Sequence, residues 1–150
     1  MTANNFDKVT QGPFSSWKGD HICLRATNFD DAVAWYQAKL NFRLMSSWKI
    51  GEMSFGFLSP AADDATKMEL IAGPSIEAGS GSSDPATSFK RSGWHHFCFR
   101  VDDVHKAIDE LKRRGVNIVT EPRDVKEIAS RFALFSDPWG NVMEVIQSIK

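Results

Sequence analysis

The chain has 150 residues, of which 42% are hydrophobic and 25% are charged, and its net charge is -1. That length and composition predict one compact globular domain, and the balanced charge argues against nucleic acid or a membrane as a partner, because both favour basic surfaces. No apolar run reaches the roughly 18 residues that cross a bilayer, and no signal-peptide core precedes Asp20. We therefore expect a cytoplasmic protein whose cysteines remain thiols.

Two parts of the chain resemble each other at an offset of 75 residues. HICLRA from His21 matches HFCFRV from His96, and MELI from Met68 matches MEVI from Met143. Such a repeat predicts two copies of one supersecondary unit, joined by a connector rich in Gly, Ser and Pro that has no apolar period. The predicted division is an N-terminal arm (1–19) and a single domain (20–148) made of module 1 (20–72), a linker (73–93) and module 2 (94–148).

In module 1 the pattern predicts a strand, a helix and three further strands. The first strand covers 21–27, and Asn28 is a suitable N-cap for the helix that follows. Helical spacing is shown by Phe29, Val33, Tyr36 and Leu40. The remaining strands are predicted at 42–48, 53–59 and 67–72.

Module 2 repeats this order. Asp102 or Asp103 caps its helix and Gly115 ends it, and the buried stripe is formed by Val104, Ala107, Ile108 and Leu111. Strands are predicted at 116–120, 131–136 and 141–147. Two βαβββ units result, and the fold class is α+β.

Glu69 and Glu144 stand in the middle of short apolar strands, KMELIA and NVMEVI. Each follows the histidine that opens its module by 48 positions. An ionised carboxylate on an inner sheet face costs on the order of several kcal/mol unless a cation or hydrogen-bond donors compensate it. For one glutamate alone, an outward-facing position is the alternative, but the repetition favours a metal ion that both bind.

The histidines open the first strand of each module. Because alternate residues of a strand share a face, the repeat predicts two equivalent polar faces, His21, Cys23 and Arg25 in module 1 and His96, Cys98 and Arg100 in module 2. The candidate metal ligands are His21, Glu69, His96 and Glu144. Two imidazoles and two carboxylates suit one divalent ion (Zn, Ni, Co, Mn or Fe), whose charge the carboxylates neutralise.

Other polar residues on these strands receive different roles. His95 points to the opposite strand face and lacks a histidine counterpart, because Asp20 takes the equivalent place, so we assign it no ligand role. Cys23 and Cys98 are expected to be small buried residues of packed strands, since free cysteine is among the most buried residue types.

The two strand arginines leave two interpretations open. Arg25 and Arg100 either clamp a substrate carboxylate or pair with acidic residues across the sheet. We carry both forward as candidate substrate-binding residues.

The stretches HICLRATNFDDAVAWYQAKLNF, HHFCFRVDDVHKAIDELKRRGV and FALFSDPWGNVMEVI resemble the vicinal oxygen chelate superfamily, which includes glyoxalase I, bleomycin resistance proteins and extradiol dioxygenases. The resemblance spans 20–147, and its most specific parts are the HxxxRVDD opening of module 2 and DPWGNVMEV, which is similar to the family's DPxGNxxE. It implies a glyoxalase-like fold in which two βαβββ modules form a curled eight-stranded sheet cleft. It also implies a metal held by the first and last strands of each module, at the four positions already named.

A complete His, Glu, His, Glu set is similar to that of glyoxalase I. It implies an enzyme, a metal-dependent lyase or isomerase acting on a small substrate with vicinal oxygens, by proton abstraction and enediolate stabilisation. In this resemblance Glu144 or Glu69 is the catalytic base, and Arg25 takes the place of an arginine that contacts glutathione. Gly73 departs from the pattern, since bacterial glyoxalase I proteins commonly have an asparagine there that helps to hold the tripeptide.

Two alternatives remain. An Fe(II) extradiol-type dioxygenase could use His21, His96 and Glu144 as its triad, although the single tyrosine, Tyr36, is placed on a helix. A non-catalytic small-molecule binding or resistance protein could line its pocket with some of the five tryptophans and eleven phenylalanines. We expect a small-molecule substrate and a homodimer, with the site either within one chain or across the dimer.

Overall fold

The computed structural model describes residues 8, 10–79, 90 and 92–149. Parts of the predicted arm (1–7 and 9) and of the predicted linker (80–89 and 91) lie outside these residues. The elements in chain order are β1 (His21–Ala26), α1 (Phe29–Leu40), β2 (Arg43–Ile50), β3 (Met53–Ser59), β4 (Lys67–Ala72), β5 (Phe97–Arg100), α2 (Val104–Arg113), β6 (Asn117–Val125), a 3-10 turn (Lys126–Ile128), β7 (Ser130–Ser136) and β8 (Val142–Ser148).

The strands form two four-stranded sheets, ordered β1-β4-β3-β2 and β5-β8-β7-β6. In each sheet the first strand of the module pairs in parallel with the last, and the other pairs are antiparallel. This confirms the predicted α+β fold of two βαβββ modules. The parallel pairing matters for the site, because it sets the strand that carries the histidine beside the strand that carries the glutamate.

Side-chain caps begin both helices. Asn28 accepts a hydrogen bond from the Asp31 backbone N–H at 3.0 Å, and Asp103 accepts one from the Lys106 N–H at 3.1 Å. Each cap satisfies a backbone donor that the first turn of the helix leaves unpaired. Within the part of the chain that the structure describes, no helix has the length and apolar character needed to cross a bilayer.

A buried polar contact joins the two modules. Tyr36 on α1 is fully buried and its hydroxyl donates to Asp137 Oδ2 at 2.6 Å. Asp137 also accepts from the backbone N–H groups of Trp139 (3.0 Å) and Asn141 (2.8 Å), so it organises the DPWGN loop that leads into β8. Trp139 Nε1 in turn donates to Thr27 Oγ1 at 3.2 Å. Module 1 therefore fixes the loop from which the strand of Glu144 starts.

The two helix C-termini cap each other across the same interface. Arg114 donates to the carbonyl oxygens of Ala38 and Lys39, both at 3.2 Å, and to Asn41 Oδ1 at 2.8 Å. Lys39 Nζ donates to the Arg114 carbonyl oxygen at 2.5 Å. Cations are favourable beside the unpaired carbonyls at a helix C-terminus, so these contacts stabilise the arrangement of the modules.

Replacing Tyr36 by phenylalanine is expected to lower the free energy of unfolding by about 1.5–3 kcal/mol, because a buried carboxylate loses one donor while the ring packing is kept. Urea denaturation followed by tryptophan fluorescence measures the change. In an Asp137→Asn background, Tyr36→Phe should lower the free energy of unfolding by a smaller amount, since no buried charge remains to be compensated. Equal stability of the wild type and Tyr36→Phe would show that the hydroxyl contributes nothing to the interface.

Candidate metal centre

Each first strand turns its polar residues away from the core. On β1 the side chains of Leu24 and Ala26 are buried, whereas His21, Cys23 and Arg25 are exposed. On β5 the exposed positions are Cys98 and Arg100, and His96 lies one residue before the strand and is half-buried. The alternation of a strand thus places the equivalent polar residues of both modules on the open face of their sheet.

The open face of each sheet brings one histidine to one glutamate. His21 Nε2 lies 3.5 Å from Glu69 Oε2, and His96 Nε2 lies 3.0 Å from Glu144 Oε2. The carboxylates are the more shielded partners, with Glu69 16% and Glu144 14% exposed against 35% and 32% for the histidines. In both modules an imidazole nitrogen and a carboxylate oxygen therefore face each other, at or directly before the first strand and on the last strand of the module.

A second residue engages the other ring nitrogen of each histidine. Asp20 Oδ1 lies 2.8 Å from His21 Nδ1, and His95 Nδ1 lies 2.7 Å from His96 Nδ1. Hydrogen bonds to His21 and Lys67 lower the pKa of Asp20, so it stays a carboxylate, whereas partial desolvation lowers the pKa of His95. Metal-binding imidazoles usually have such a partner on the distal nitrogen, which fixes the tautomer and directs the free nitrogen to the ion.

Asp20 and His95 are the residues that sequence reasoning left without a function. They occupy equivalent positions of the repeat, each directly before a candidate ligand histidine. A hydrogen-bonding side chain at the same place in both modules was the signal that could have identified them. His95 is thus a neighbour of a candidate ligand, which is compatible with having no ligand role of its own.

The expectation that Cys23 and Cys98 are buried core residues is wrong, because both are exposed. They share the strand face of the candidate ligands, and the core is packed by the alternate residues. Cys23 lies opposite Glu69 in the β1–β4 register, and Cys98 lies opposite Glu144 in the β5–β8 register. Partial desolvation and the adjacent carboxylate raise the pKa of Cys23 to about 11 and the pKa of Cys98 to about 12, so both are thiols at neutral pH.

The arginines lie further along the same faces. Arg25 lines a cavity of about 820 Å³ together with Trp94 and Trp139, and Arg100 Nη1 donates to Ser148 Oγ at 3.1 Å. Among the described residues neither guanidinium forms a salt bridge with a carboxylate. Both therefore keep the capacity to bind an anionic group.

An aromatic wall stands beside the first His–Glu pair. Phe57 lies opposite Glu69 in the sheet, and its ring centroid is 5.3 Å from that of His21. Trp48 packs on Phe57 at 5.2 Å and stacks on Phe55 at 5.7 Å. Apolar walls of this kind exclude water from one side of a polar site.

The single chain does not bring the two pairs together. Among the residues that the structure describes, no group of three or more His, Cys, Asp and Glu side chains is close enough to hold a metal ion. Each pair supplies one imidazole and one carboxylate, which is half of the four-ligand set expected from the sequence. β1, which carries His21, and β5, which His96 directly precedes, are edge strands of their sheets.

The comparisons with known proteins agree with this architecture. The family model for the Glyoxalase/Bleomycin resistance protein/Dioxygenase superfamily matches residues 18–145. A lactoylglutathione lyase of Neisseria meningitidis is 26% identical over 130 residues, covering 85% of this chain and 88% of that protein, and the mitochondrial methylmalonyl-CoA epimerase of Homo sapiens is 23% identical over 124 residues, covering 80% and 66%. The crystal structure of a glyoxalase family protein from Enterococcus faecalis superposes with a TM-score of 0.70 at 20% identity, covering 87% of this chain and 97% of that one.

Proposed function

Because the chain belongs to the Glyoxalase/Bleomycin resistance protein/Dioxygenase superfamily, we propose that it is a metal-dependent lyase or isomerase of the glyoxalase I type. The observation that carries the proposal is the repeated pair, in which a histidine with its distal nitrogen engaged faces a shielded glutamate in each module. The substrate class is a small molecule with two adjacent oxygens. A lactoylglutathione lyase among the relatives supports the same reaction type.

The donor set fits a divalent ion. Two neutral imidazole nitrogens and two carboxylates match the ligands that Zn, Ni, Co, Mn and Fe accept, and the carboxylates balance the charge of the ion. The residues that would hold it are His21, Glu69, His96 and Glu144. When bound, the ion would stabilise the negative charge that develops on the substrate oxygens as a neighbouring carbon loses its proton.

Glu144 is the proposed base. Its carboxylate is mostly shielded from water, yet Oε2 reaches the open face of the sheet at 3.0 Å from His96 Nε2. Once released as a ligand, a carboxylate in this position can take a proton from the substrate carbon and return it to the adjacent carbon. Glu69 occupies the equivalent place in module 1, so it is the second candidate for the same step. Arg25 and Arg100 would bind an anionic end of the substrate.

A homodimer would complete the site. One chain provides two separated half-sites, and a two-fold arrangement sets module 1 of one chain against module 2 of its partner, with two equivalent sites per dimer. The exposed edge strands β1 and β5 are available for that contact. The proposal also includes residues 20–148 as one domain of a cytoplasmic protein.

The first experiment measures the metal content of protein purified without added metal, and then the activity after loading with each divalent ion. We expect about one ion per chain, and conversion of the hemithioacetal of methylglyoxal with glutathione or with a simpler thiol. Reaction in D2O tests the step itself, because a carboxylate that exchanges the abstracted proton with solvent before returning it puts deuterium into the product, which a direct hydride shift cannot do.

Two results would favour the other readings of the sequence. Oxygen consumption with a catechol after anaerobic loading with Fe(II) would indicate a dioxygenase. Protein that holds no divalent ion, and takes up none on addition, would indicate a non-catalytic binding protein.

A further inference from the structure

The Cys98 thiol contacts the carboxylate oxygen of Glu144 that does not face His96. Its Sγ lies 3.4 Å from Glu144 Oε1, whereas Oε2 of the same carboxylate faces His96 Nε2 at 3.0 Å. Sulfur hydrogen bonds are longer than those of oxygen because the sulfur atom is larger, so 3.4 Å is a contact distance for an S–H donor. The two oxygens of Glu144 are thus engaged by two different partners.

Module 1 places its cysteine equivalently in the sheet. Cys23 stands opposite Glu69 in the parallel register, the same place that Cys98 takes opposite Glu144. Both Cys23 and Cys98 follow their ligand histidine by two positions, so the histidine and the thiol emerge on one strand face around one glutamate. The chain has only these two cysteines. Both cysteines therefore stand at the same place in the repeat, beside the glutamate of their own module.

We infer that Cys23 and Cys98 are positioning residues, whose thiols hold one oxygen of Glu69 and Glu144 so that each glutamate offers only its other oxygen to the metal. The inference rests on the proposed function, since it assigns a role toward the ion of that site. If each glutamate bound through a single oxygen, coordination positions would remain for the two vicinal oxygens of the substrate. A carboxylate that bound through both oxygens would occupy those positions itself.

The surroundings of the thiols oppose two simpler roles. A core role is excluded by exposure, because neither cysteine belongs to the buried cluster that packs the sheets against the helices. A ligand role is opposed by geometry, because the Cys98 sulfur contacts Glu144 on the oxygen away from His96. A hydrogen bond from a neighbouring side chain is the usual way in which a metal-binding carboxylate is oriented.

The hydrogen bond is tested on the metal-free protein by infrared spectroscopy of the S–H stretch. Because Cys98 is the only thiol left in a Cys23→Ser variant, its band can be followed alone. Removing the acceptor with Glu144→Ala should shift this band to higher wavenumber, as expected for a weaker hydrogen bond. Glu121→Ala removes an exposed carboxylate of β6 and should leave the band unchanged. An unshifted band in Glu144→Ala would overturn the inference.

The consequence for metal binding is tested by calorimetric titration with Zn²⁺. Cys98→Ala should weaken binding about tenfold, at the lower end of the loss seen when a partner of a metal ligand is removed. Cys98→Ser keeps a donor and should bind nearly as tightly as the wild type. The double variant Cys23→Ala/Cys98→Ala should lose about a hundredfold if the two thiols act independently.

The outcomes separate this inference from the proposed function. If the wild type binds Zn²⁺ and both alanine variants bind it equally well, the thiols do not position the ligands and the proposed function still stands. If metal loading removes the S–H band, or Co²⁺ produces a thiolate charge-transfer absorption, the cysteines are ligands and the inference is wrong. If the wild type binds no divalent ion, the proposed function and the inference fail together.

Discussion

Replacing Glu144 by glutamine is expected to weaken divalent metal binding by more than about a hundredfold, because losing a ligand should cost more than losing a residue that only orients one. Turnover should fall at least about a hundredfold as well, since the amide cannot accept the proton. The metal-free variant should stay folded within about 1 kcal/mol of the wild type, because glutamine keeps the shape of the side chain and a polar group facing His96. Metal titration, activity and urea denaturation measure the three quantities.

Glu127→Gln is the matched control for that variant. Glu127 is an exposed residue of the 3-10 turn in the same module, so its substitution removes one negative charge without touching the open sheet face. It should change neither metal binding nor turnover. Undiminished activity in Glu144→Gln would refute its assignment as base and ligand. A large loss of stability in the metal-free variant would instead indicate that the carboxylate serves the fold.

The equivalence of the two His–Glu pairs was predictable from the repeat alone. In a βαβββ unit the first and last strands are neighbours. Along a parallel strand pair, one register offset applies to every pair of residues. The match at an offset of 75 residues therefore means that, if His21 meets Glu69 in module 1, His96 meets Glu144 in module 2. No propensity is needed for this inference, since it follows from strand alternation and from equivalence of the two copies.

Local details depended on neighbours that periodicity does not reveal. β6 runs to Val125, beyond the predicted end at 120, and it contains Pro122. That strand is the edge of its sheet and its register shifts between Thr120 and Arg123, which is where a residue without an N–H can be accommodated. The predicted strand ended at 120, whereas the edge position allows the observed strand to continue through Pro122 to Val125.

The relation between the two modules was the least predictable part. Their relative position depends on contacts between residues far apart in the chain, such as Tyr36 with Asp137 and Arg114 with Asn41. Neither contact leaves a periodic pattern, so the sequence could indicate four candidate ligands without showing that the described residues of one chain keep them as two separate pairs. If the site needs both pairs, activity depends on whether two chains assemble.

Mixed dimers of two inactive chains are expected to regain activity. One chain carries Glu69→Gln and the other Glu144→Gln, and each homodimer should be inactive because both of its sites lack a ligand. In the mixed dimer the two defects fall in the same site, since module 1 of the first chain faces module 2 of the second. The other site is built from intact modules, so about half of the wild-type activity per dimer should return.

Two different affinity tags on co-expressed chains allow the mixed dimer to be purified, and metal analysis should find about one ion per mixed dimer against two in the wild type. Differently tagged Glu144→Gln chains, combined in the same way, should stay inactive because both sites are still defective. A site built within one chain predicts the opposite result, since every chain of the mixture would lack one ligand. An inactive, metal-free mixed dimer would therefore contradict the shared site. The four ligands themselves would be in question only if the wild type also bound no ion.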